Sequence, residues 1–246
     1  MLPFPQLIEY GNVVVPPVLT DQYVGLVSTN LYSTIMDTLN PSGTRVSQQG
    51  SFRCFKFVYN SKYYIIPSQP FAIASYKEVY EKGMVYGSND NGPDIFDSSS
   101  GIALTIQSQT ITIEGSVYKI MLPTGAPTST VSNFLSNDPQ YYNPMTDWER
   151  FFYSIWSNTP SSFTSGYTVQ TSDKVPRFTY SSSTRRWALC QGSDGSRTSP
   201  RSLGRGRFDT ASSGGDYEFS QICTTSIAPL WTQAINFWWP IFVKNI

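Results

Sequence analysis

An alternating stretch near residue 52 constrains the fold more than any other feature of the sequence. In the segment FRCFKFVYNSKYYII, side chains alternate in character along the chain, and two apolar or aromatic runs flank Asn60-Ser61. A period of two is typical of a strand, because successive side chains of a strand point to opposite faces. A polar dipeptide between two such runs favours a tight turn. The sequence therefore predicts a β-hairpin at 52–66.

Capping signals predict short helices between strands. Ser75 and Glu78 have the spacing of a capping box, in which each residue satisfies the other's backbone N–H. Thr146 and Glu149 repeat that spacing and predict a second, aromatic helix. Leucine and isoleucine at four-residue intervals predict a third helix at 28–40. Apolar alternation predicts further strands at 104–106, 111–113, 117–120, 185–191 and 218–230, with polar loops at 88–101, 157–184 and 192–216.

The composition excludes several classes of chemistry. The chain has no His, so it has neither a Ser-His-Asp triad nor a His-ligated zinc site. Its three cysteines, Cys54, Cys190 and Cys223, show no C-x-x-C spacing, and we expect them to be reduced thiols in the core. The 17 basic and 17 acidic residues give no net charge, so we expect no nucleic-acid partner. We therefore expect a protein that is not an enzyme.

Neither a signal peptide nor a membrane span is expected from the sequence. The first residues, MLPFPQLIEY, lack the basic start and the long apolar run of a signal peptide. The most apolar stretch, at 227–243, is interrupted by Pro229, Gln233, Asn236 and Pro240, whereas a spanning helix needs about 20 mostly apolar residues. We expect a chain that is cytosolic as made.

Oxygen-bearing side chains crowd the loop that begins near residue 88. Asp90, Asn91, Asp94 and Asp97 offer the oxygen ligands that calcium prefers. The loop does not follow the EF-hand pattern, so a solvated turn is the alternative to a calcium site. No other cofactor is expected.

Basic residues are concentrated between residues 174 and 207. Guanidinium groups among Ser and Gly can bind phosphate or carboxylate groups bidentately. An anionic glycan, an acidic protein, a nucleic acid and a plain solvated surface are the alternatives for this cluster. The residues that we expect to take part in recognition are Tyr167, Arg197, Arg201, Arg205, Arg207 and Tyr217.

Large aromatic side chains are concentrated near the C-terminus. Trp231, Trp238, Trp239 and Phe242 would each gain roughly 1.5–3 kcal/mol on burial. They either complete the core of this chain or dock on a neighbouring protein, because aromatic anchors dominate protein–protein contacts. Pro229 and Pro240 favour an extended segment, and we assign these four aromatic residues to an assembly surface.

The order of several motifs resembles bacteriophage virion proteins of the tail or fibre type, whose core is C-type-lectin-like. The hairpin is similar to that family's W-L-K-F-x-x-x-G-K segment, and Tyr118 to Gly125 resembles its K-V-R-L-P-T-G-G motif. Asp147 to Tyr153 resembles the helix opening E-W-x-x-L-x-Y. The remaining similar segments are 75–87, 187–191 with the strand motif W-C-Q-E, 201–207 and 225–230.

This resemblance implies an α+β fold of the C-type-lectin-like kind, which the family shares distantly with formylglycine-generating enzymes. Antiparallel strands, short helices and long loops are then expected at 50–231, after an N-terminal segment at 1–49 with one helix. Residues 232–246 would form an aromatic extension beyond the family's usual end.

The implied function is that of a structural virion protein, in a tail, a fibre or a head decoration. Its loops would bind other virion proteins, further copies of the chain, or a glycan or protein on the host surface. The alternative is a carbohydrate-binding module, with or without calcium at the 90–97 loop. Tyr-, Ser- and Gly-rich loops on a strand core suit either binding role.

Overall fold

The computed structural model describes about half of the chain. The described residues are 24–27, 37, 52–59, 62–67, 70–93, 101–113, 115–125, 146–153, 186–193, 202–208, 217–223 and 236–245. Of the predicted helix at 28–40, only Asp37 is described, and it is helical.

The larger of two sheets has six strands and contains the predicted hairpin. Its strands are β1 (Val24–Val27), β2 (Phe52–Tyr59), β3 (Lys62–Pro67), β5 (Thr110–Ile113), β6 (Ser116–Met121) and β11 (Ile241–Asn245). Their order is β1-β2-β3-β11-β6-β5, and every neighbouring pair is antiparallel. Tyr59 pairs with Lys62, which confirms the hairpin predicted from alternation. Residues 24–27 also belong to this sheet, so the predicted N-terminal segment contributes a strand to it.

The second sheet has five strands. It consists of β4 (Ala72–Ala74), β7 (Arg186–Ser193), β8 (Ser202–Phe208), β9 (Tyr217–Cys223) and β10 (Asn236–Trp238), in the order β4-β10-β7-β8-β9. The β10–β7 pair is parallel, and the other three pairs are antiparallel. The described chain is therefore built from mainly antiparallel sheets with few short helices.

Helix α1 (Tyr76–Glu81) forms where the capping box predicts it. The Ser75 backbone N–H donates to Glu78 Oε2 at 2.7 Å, and the Glu78 N–H donates to Ser75 Oγ at 3.2 Å. Gly83 follows the helix with φ of +71°, and a Cβ at this position would lie 2.5 Å from the carbonyl oxygen of Ile106. Only glycine fits both the backbone angle and that close approach.

The second predicted helix is present as a short π-helix, Trp148–Tyr153. Its Trp148, Phe151 and Phe152 side chains are buried, and Trp148 and Phe152 pack against Trp239 near the C-terminus. The Trp148 and Phe152 rings stack at 4.6 Å, and Phe152 meets Trp239 edge to face at 5.2 Å. Trp239 also donates from Nε1 to the carbonyl oxygen of Pro67 at 2.8 Å, which ties this cluster to the hairpin.

The C-terminal strands lie inside both sheets. β11 is flanked by β3 and β6, and β10 is flanked by β4 and β7. Trp238, Trp239 and Phe242 are fully buried within this chain, and Phe242 and Trp238 pack against Phe71. Their assignment to an assembly surface is therefore wrong, because all three side chains are buried in the chain's own core. Trp231 lies outside the described residues.

The segment before β5 departs from the predicted strand at 104–106. Residues 101–109 form no strand, and Leu104 and Ile106 are more than half exposed. The segment instead bonds to α1 and the turn after it: Ala103 N donates to Glu81 Oε1, and Gln109 N donates to the Gly83 carbonyl. Leu104 and Ile106 alternate with polar residues and so predict a strand, but the backbone N–H groups of this segment donate to Glu81, Asp90 and Gly83 instead of to a neighbouring strand.

Candidate functional site

Two distant segments are joined by reciprocal hydrogen bonds between Thr124 and Asp147. The Asp147 N–H donates to Thr124 Oγ1 at 2.7 Å, and the Thr124 N–H donates to Asp147 Oδ2 at 3.1 Å. The Trp148 N–H also donates to the carbonyl oxygen of Thr124 at 3.0 Å. Two N–H groups at the start of the π-helix, where a helix has no internal acceptors, are thus satisfied by one threonine.

Gln191 brings a third segment to the same place. Its backbone N–H donates to the Pro123 carbonyl at 2.9 Å, its Nε2 donates to the Leu122 carbonyl at 2.6 Å, and it forms an isolated parallel bridge with Thr124. We name Thr124, Asp147 and Gln191 the motif junction. It joins the end of β6, the start of the π-helix and β7.

Cys190 lies beside this junction in a fully buried position. Burial, and to a smaller extent the nearby carboxylate of Asp147, raise the pKa of the Cys190 thiol well above its ordinary value. The thiol is therefore protonated near neutral pH, whereas a cysteine nucleophile must be a thiolate. The motif junction thus positions backbone segments and does not favour the thiolate form of Cys190.

A second ordered region is the loop at 86–93, which follows the turn after α1. The Tyr76 and Tyr86 hydroxyls lie 2.9 Å apart, and the Tyr80 hydroxyl donates to the carbonyl oxygen of Asn91 at 2.8 Å. From β6, Lys119 Nζ donates to the Gly87 carbonyl at 2.6 Å. A helix and a strand therefore hold this loop from two sides.

Asp90 organises the tip of the loop. Its Oδ1 accepts from Ser88 Oγ at 2.6 Å and from the Gly92 N–H at 2.9 Å, while its carbonyl oxygen accepts from the Gln107 N–H. The hydrogen bonds from Ser88 and then Gly92 lower the pKa of the Asp90 carboxyl below its ordinary value, so it is charged at neutral pH. Asn89 and Asp90 are exposed. The tip thus presents an amide and a carboxylate in fixed positions.

The predicted calcium ligands fall partly on this loop. Asp90 and Asn91 are described, and Asp94 and Asp97 lie outside the described residues. Asn91 uses its carbonyl oxygen to accept from Tyr80. Among the residues with described positions, no group of three or more His, Cys, Asp or Glu side chains has the arrangement of a metal site.

Gln107 is the buried polar residue that supports the loop. Its Oε1 accepts from the Val85 N–H at 3.0 Å, and its Nε2 donates to the carbonyl oxygens of Tyr80 and Thr105 at 3.0 and 2.7 Å. The side chain is fully buried, so these bonds replace the water that it would otherwise contact. The side-chain amide thereby connects α1, the turn after it and the 101–109 segment, and the backbone N–H of the same residue donates to Asp90 in the loop.

The predicted recognition residues are distributed differently from expectation. Arg205 and Arg207 lie in β8 and Tyr217 begins β9, so the loop predicted at 192–216 is wrong for β8. Glycines between the arginines favour a loop in the sequence, but β7 and β9 pair with this segment on both sides and make it a strand. Tyr167, Arg197 and Arg201 lie outside the described residues.

Sequence reasoning missed the residues that hold the 86–93 loop. Tyr80, Tyr86 and Lys119 read as ordinary helix and strand residues, and Gln107 reads as part of a turn. The available signal was Gly92, which has φ of +75° and a Cβ position only 2.2 Å from the Tyr86 ring. A glycine after an Asn-Asp-Asn run marks a tight turn but does not identify the side chains around it.

The described helices contain no segment that is long and apolar enough to cross a membrane. The chain matches no protein-family model, no curated protein and no solved structure at a significant level.

Proposed function

We propose that this chain is a structural protein of a bacteriophage virion, in a tail, a fibre or a head decoration, and that it has no enzymatic activity. Its core would be C-type-lectin-like, and its loops would bind other virion proteins or a glycan or protein of the host surface. The single observation that carries the proposal is the motif junction. The virion would be its final location after synthesis in the host cytoplasm.

The motif junction supports the resemblance in a way that the sequence does not. Three segments that resemble landmarks of the phage family, at 118–125, 147–153 and 187–191, are far apart along the chain. They meet through the hydrogen bonds of Thr124, Asp147 and Gln191. Three unrelated chance similarities would give no reason for such contacts, whereas the landmarks of one core would be expected to pack together.

The 86–93 loop favours binding over chemistry. A loop that is held by Tyr80, Lys119 and Gln107 before it meets a ligand loses little conformational entropy on binding. Its exposed tip carries an ionised Asp90 beside Asn89, which suits a polar ligand. The buried, protonated Cys190 thiol is poorly suited to covalent catalysis.

The virion assignment is tested on purified particles of the phage that encodes the chain. Particles banded in a density gradient are analysed by quantitative mass spectrometry and labelled with gold-coupled antibodies against the recombinant chain. We expect a fixed copy number per particle and labelling at one structural position. If the chain separates from the particles in the gradient and is recovered only in the soluble fraction, the proposal is contradicted.

The recognition role is tested separately with the loop tip. Fluorescently labelled chain is mixed with host cells and with isolated virion components, and the Asn89→Lys variant is compared with Lys82→Ala, which changes an exposed residue next to α1. We expect Asn89→Lys to weaken binding and Lys82→Ala to leave it unchanged. Equal binding by both variants would remove the loop tip from the recognition surface.

A further inference from the structure

The outer edge of the six-stranded sheet is formed by β5. Within the described chain, β5 pairs only with β6, and Ile120 N donates to the Gln109 carbonyl at 2.9 Å in the same register. Backbone bonding alternates along an antiparallel pair, so Ile111 and Ile113 direct their N–H and C=O groups toward β6. The N–H and C=O groups of Thr110 and Thr112 therefore point away from the sheet.

This edge lacks most of the features that usually prevent strands from pairing with other chains, although β5 is only four residues long. Natural edge strands are protected by charged side chains, Pro, bulges or very short length. Residues 101–113, GIALTIQSQTITI, contain no charged residue and no Pro, and the β5–β6 register is regular from Thr110 to Ile113. The same uncharged segment exposes Leu104 and Ile106, which are 57% and 58% exposed. These exposed apolar residues precede β5 in the chain and add apolar area beside its edge, as is typical of an interaction surface.

We propose that β5 pairs antiparallel with β5 of a second copy of this chain, about a two-fold axis at Ile111. In this register Thr110 of each copy lies opposite Thr112 of the other. The outward backbone groups of these two threonines then form four hydrogen bonds between the copies, and the two sheets join into one continuous sheet.

A second copy fits this edge better than an unrelated strand, because the edge is self-complementary. The two-fold register places Thr opposite Thr on the exposed face and Ile111 opposite Ile111 on the core face, and both pairings are favourable across strands. Since 101–113 has no charged residue, no like charges meet when the two copies pair. The chain as a whole carries no net charge, so long-range repulsion between copies is also absent. A two-fold contact of identical patches is the commonest form of homodimer.

The proposal is tested by the mass of the full chain in solution. Sedimentation equilibrium over about a hundredfold range of concentration gives the oligomeric state by mass action. We expect a monomer–dimer equilibrium for the unchanged chain. Thr112→Pro removes one outward N–H without removing a bond to β6, and Thr110→Lys/Thr112→Lys places like charges opposite each other in both threonine pairs. Both variants should be monomers over the whole range.

The matched control is Val117→Lys/Asn245→Lys, which adds the same charge at exposed positions of interior strands. This control should still dimerise, and far-UV circular dichroism should show that each variant keeps the fold. Hydrogen exchange on the unchanged chain gives a readout that needs no variant: the Thr110 and Thr112 amides should be protected in concentrated samples and should exchange rapidly in dilute ones. A monomer at all concentrations, a dimer that persists in both edge variants, or concentration-independent exchange of these amides would each overturn the proposal.

Discussion

Thr124 and Asp147 each donate a backbone N–H to the other's side chain, at 3.1 and 2.7 Å, and they do so across 23 residues. This exchange resembles a capping box, but here the two partners come from different segments. The carboxylate and the hydroxyl serve as acceptors for N–H groups that a six-residue helix and a strand end cannot satisfy themselves. The position of the π-helix is thus fixed by its hydrogen bonds to Thr124, which follows β6 in the chain.

Removal of the Thr124 hydroxyl should therefore destabilise the whole domain. Thr124→Val keeps the shape of the side chain but leaves the Asp147 N–H without this acceptor, which should cost about 1–3 kcal/mol in the free energy of unfolding. Thr124→Ser keeps the hydroxyl and is the control, with a much smaller loss. Urea denaturation of the two variants measures the difference, and equal midpoints would contradict the role assigned to the hydroxyl.

Gln107 should be more sensitive to substitution than its neighbour Ser108. Gln107→Leu is similar in volume but leaves the buried Val85 N–H without its acceptor, and we expect a loss of about 1–3 kcal/mol. Ser108 is exposed, so Ser108→Ala should change the stability little. Denaturation curves give the free energies, and hydrogen exchange at Val85 shows where the loss occurs. Unchanged protection of that amide in Gln107→Leu would count against the hydrogen bond.

The Cys190 thiol should be unreactive in the native protein. Its raised pKa keeps it protonated, and full burial excludes reagents. Iodoacetamide at pH 8 should leave Cys190 unmodified in buffer and alkylate it in guanidinium chloride, as read by peptide mass spectrometry. The unfolded chain loses this proton first as the pH rises, so the contribution of Cys190 to stability is complete below the thiol's ordinary pKa and declines above it. Rapid alkylation of the native protein would show that this thiol is accessible and ionised.

Truncation before residue 236 should prevent folding. It removes β10 and β11, which are interior strands of the two sheets, and it exposes the side chains that Trp238 and Phe242 cover. Circular dichroism and NMR of the truncated chain should show no cooperative structure. Asn245→Ala, at an exposed position of β11, should fold normally and serves as the control. A truncated chain that melts cooperatively would show that 236–246 is dispensable.

Gly92→Ala should cost more stability than Gly115→Ala. The two glycines have nearly the same φ, +75° and +74°, so both variants carry the same backbone strain, about 1 kcal/mol. Only at Gly92 would the new Cβ also meet the Tyr86 ring, whereas Gly115 has no neighbour within 4 Å among the described atoms. Thermal unfolding of both variants gives their losses of stability, and the difference is the cost of the contact with the Tyr86 ring. Equal losses of stability would mean that the loop accommodates the new Cβ without cost.

Local patterns predicted those parts of the fold whose partners are close in sequence. The hairpin of β2 and β3 and the capping box of α1 each follow from neighbouring residues, because a turn or a cap is satisfied within a few positions. The pattern failed at 104–106 and at 202–208. In the first case the backbone N–H groups bond to the end of α1 and to the turn and loop after it, and in the second case two neighbouring strands pair with the segment.

The candidate site was also predicted where it depends on nearby residues and missed where it depends on distant ones. Sequence reasoning found the described part of the polar loop, at 88–93, and the segments that carry Thr124, Asp147 and Gln191. It did not find that Tyr80, Gln107 and Lys119 converge on the loop, since these residues come from three separate elements and no periodicity connects them. The C-terminal tryptophans illustrate the limit best: their size required burial, but only strand order decided whether this chain or a partner would provide it.

The sequence by itself determined a strand-based chain with no histidine chemistry, with short capped helices and with enough aromatic side chains to need a large core. Tertiary structure decided which strands lie inside the sheets, which polar groups meet at the motif junction and that β5 pairs only with β6 within the described part of the chain. The physical reason is that alternation and capping are satisfied by nearby residues, whereas the pairing of distant strands is selected by the total burial and backbone bonding of the completed fold.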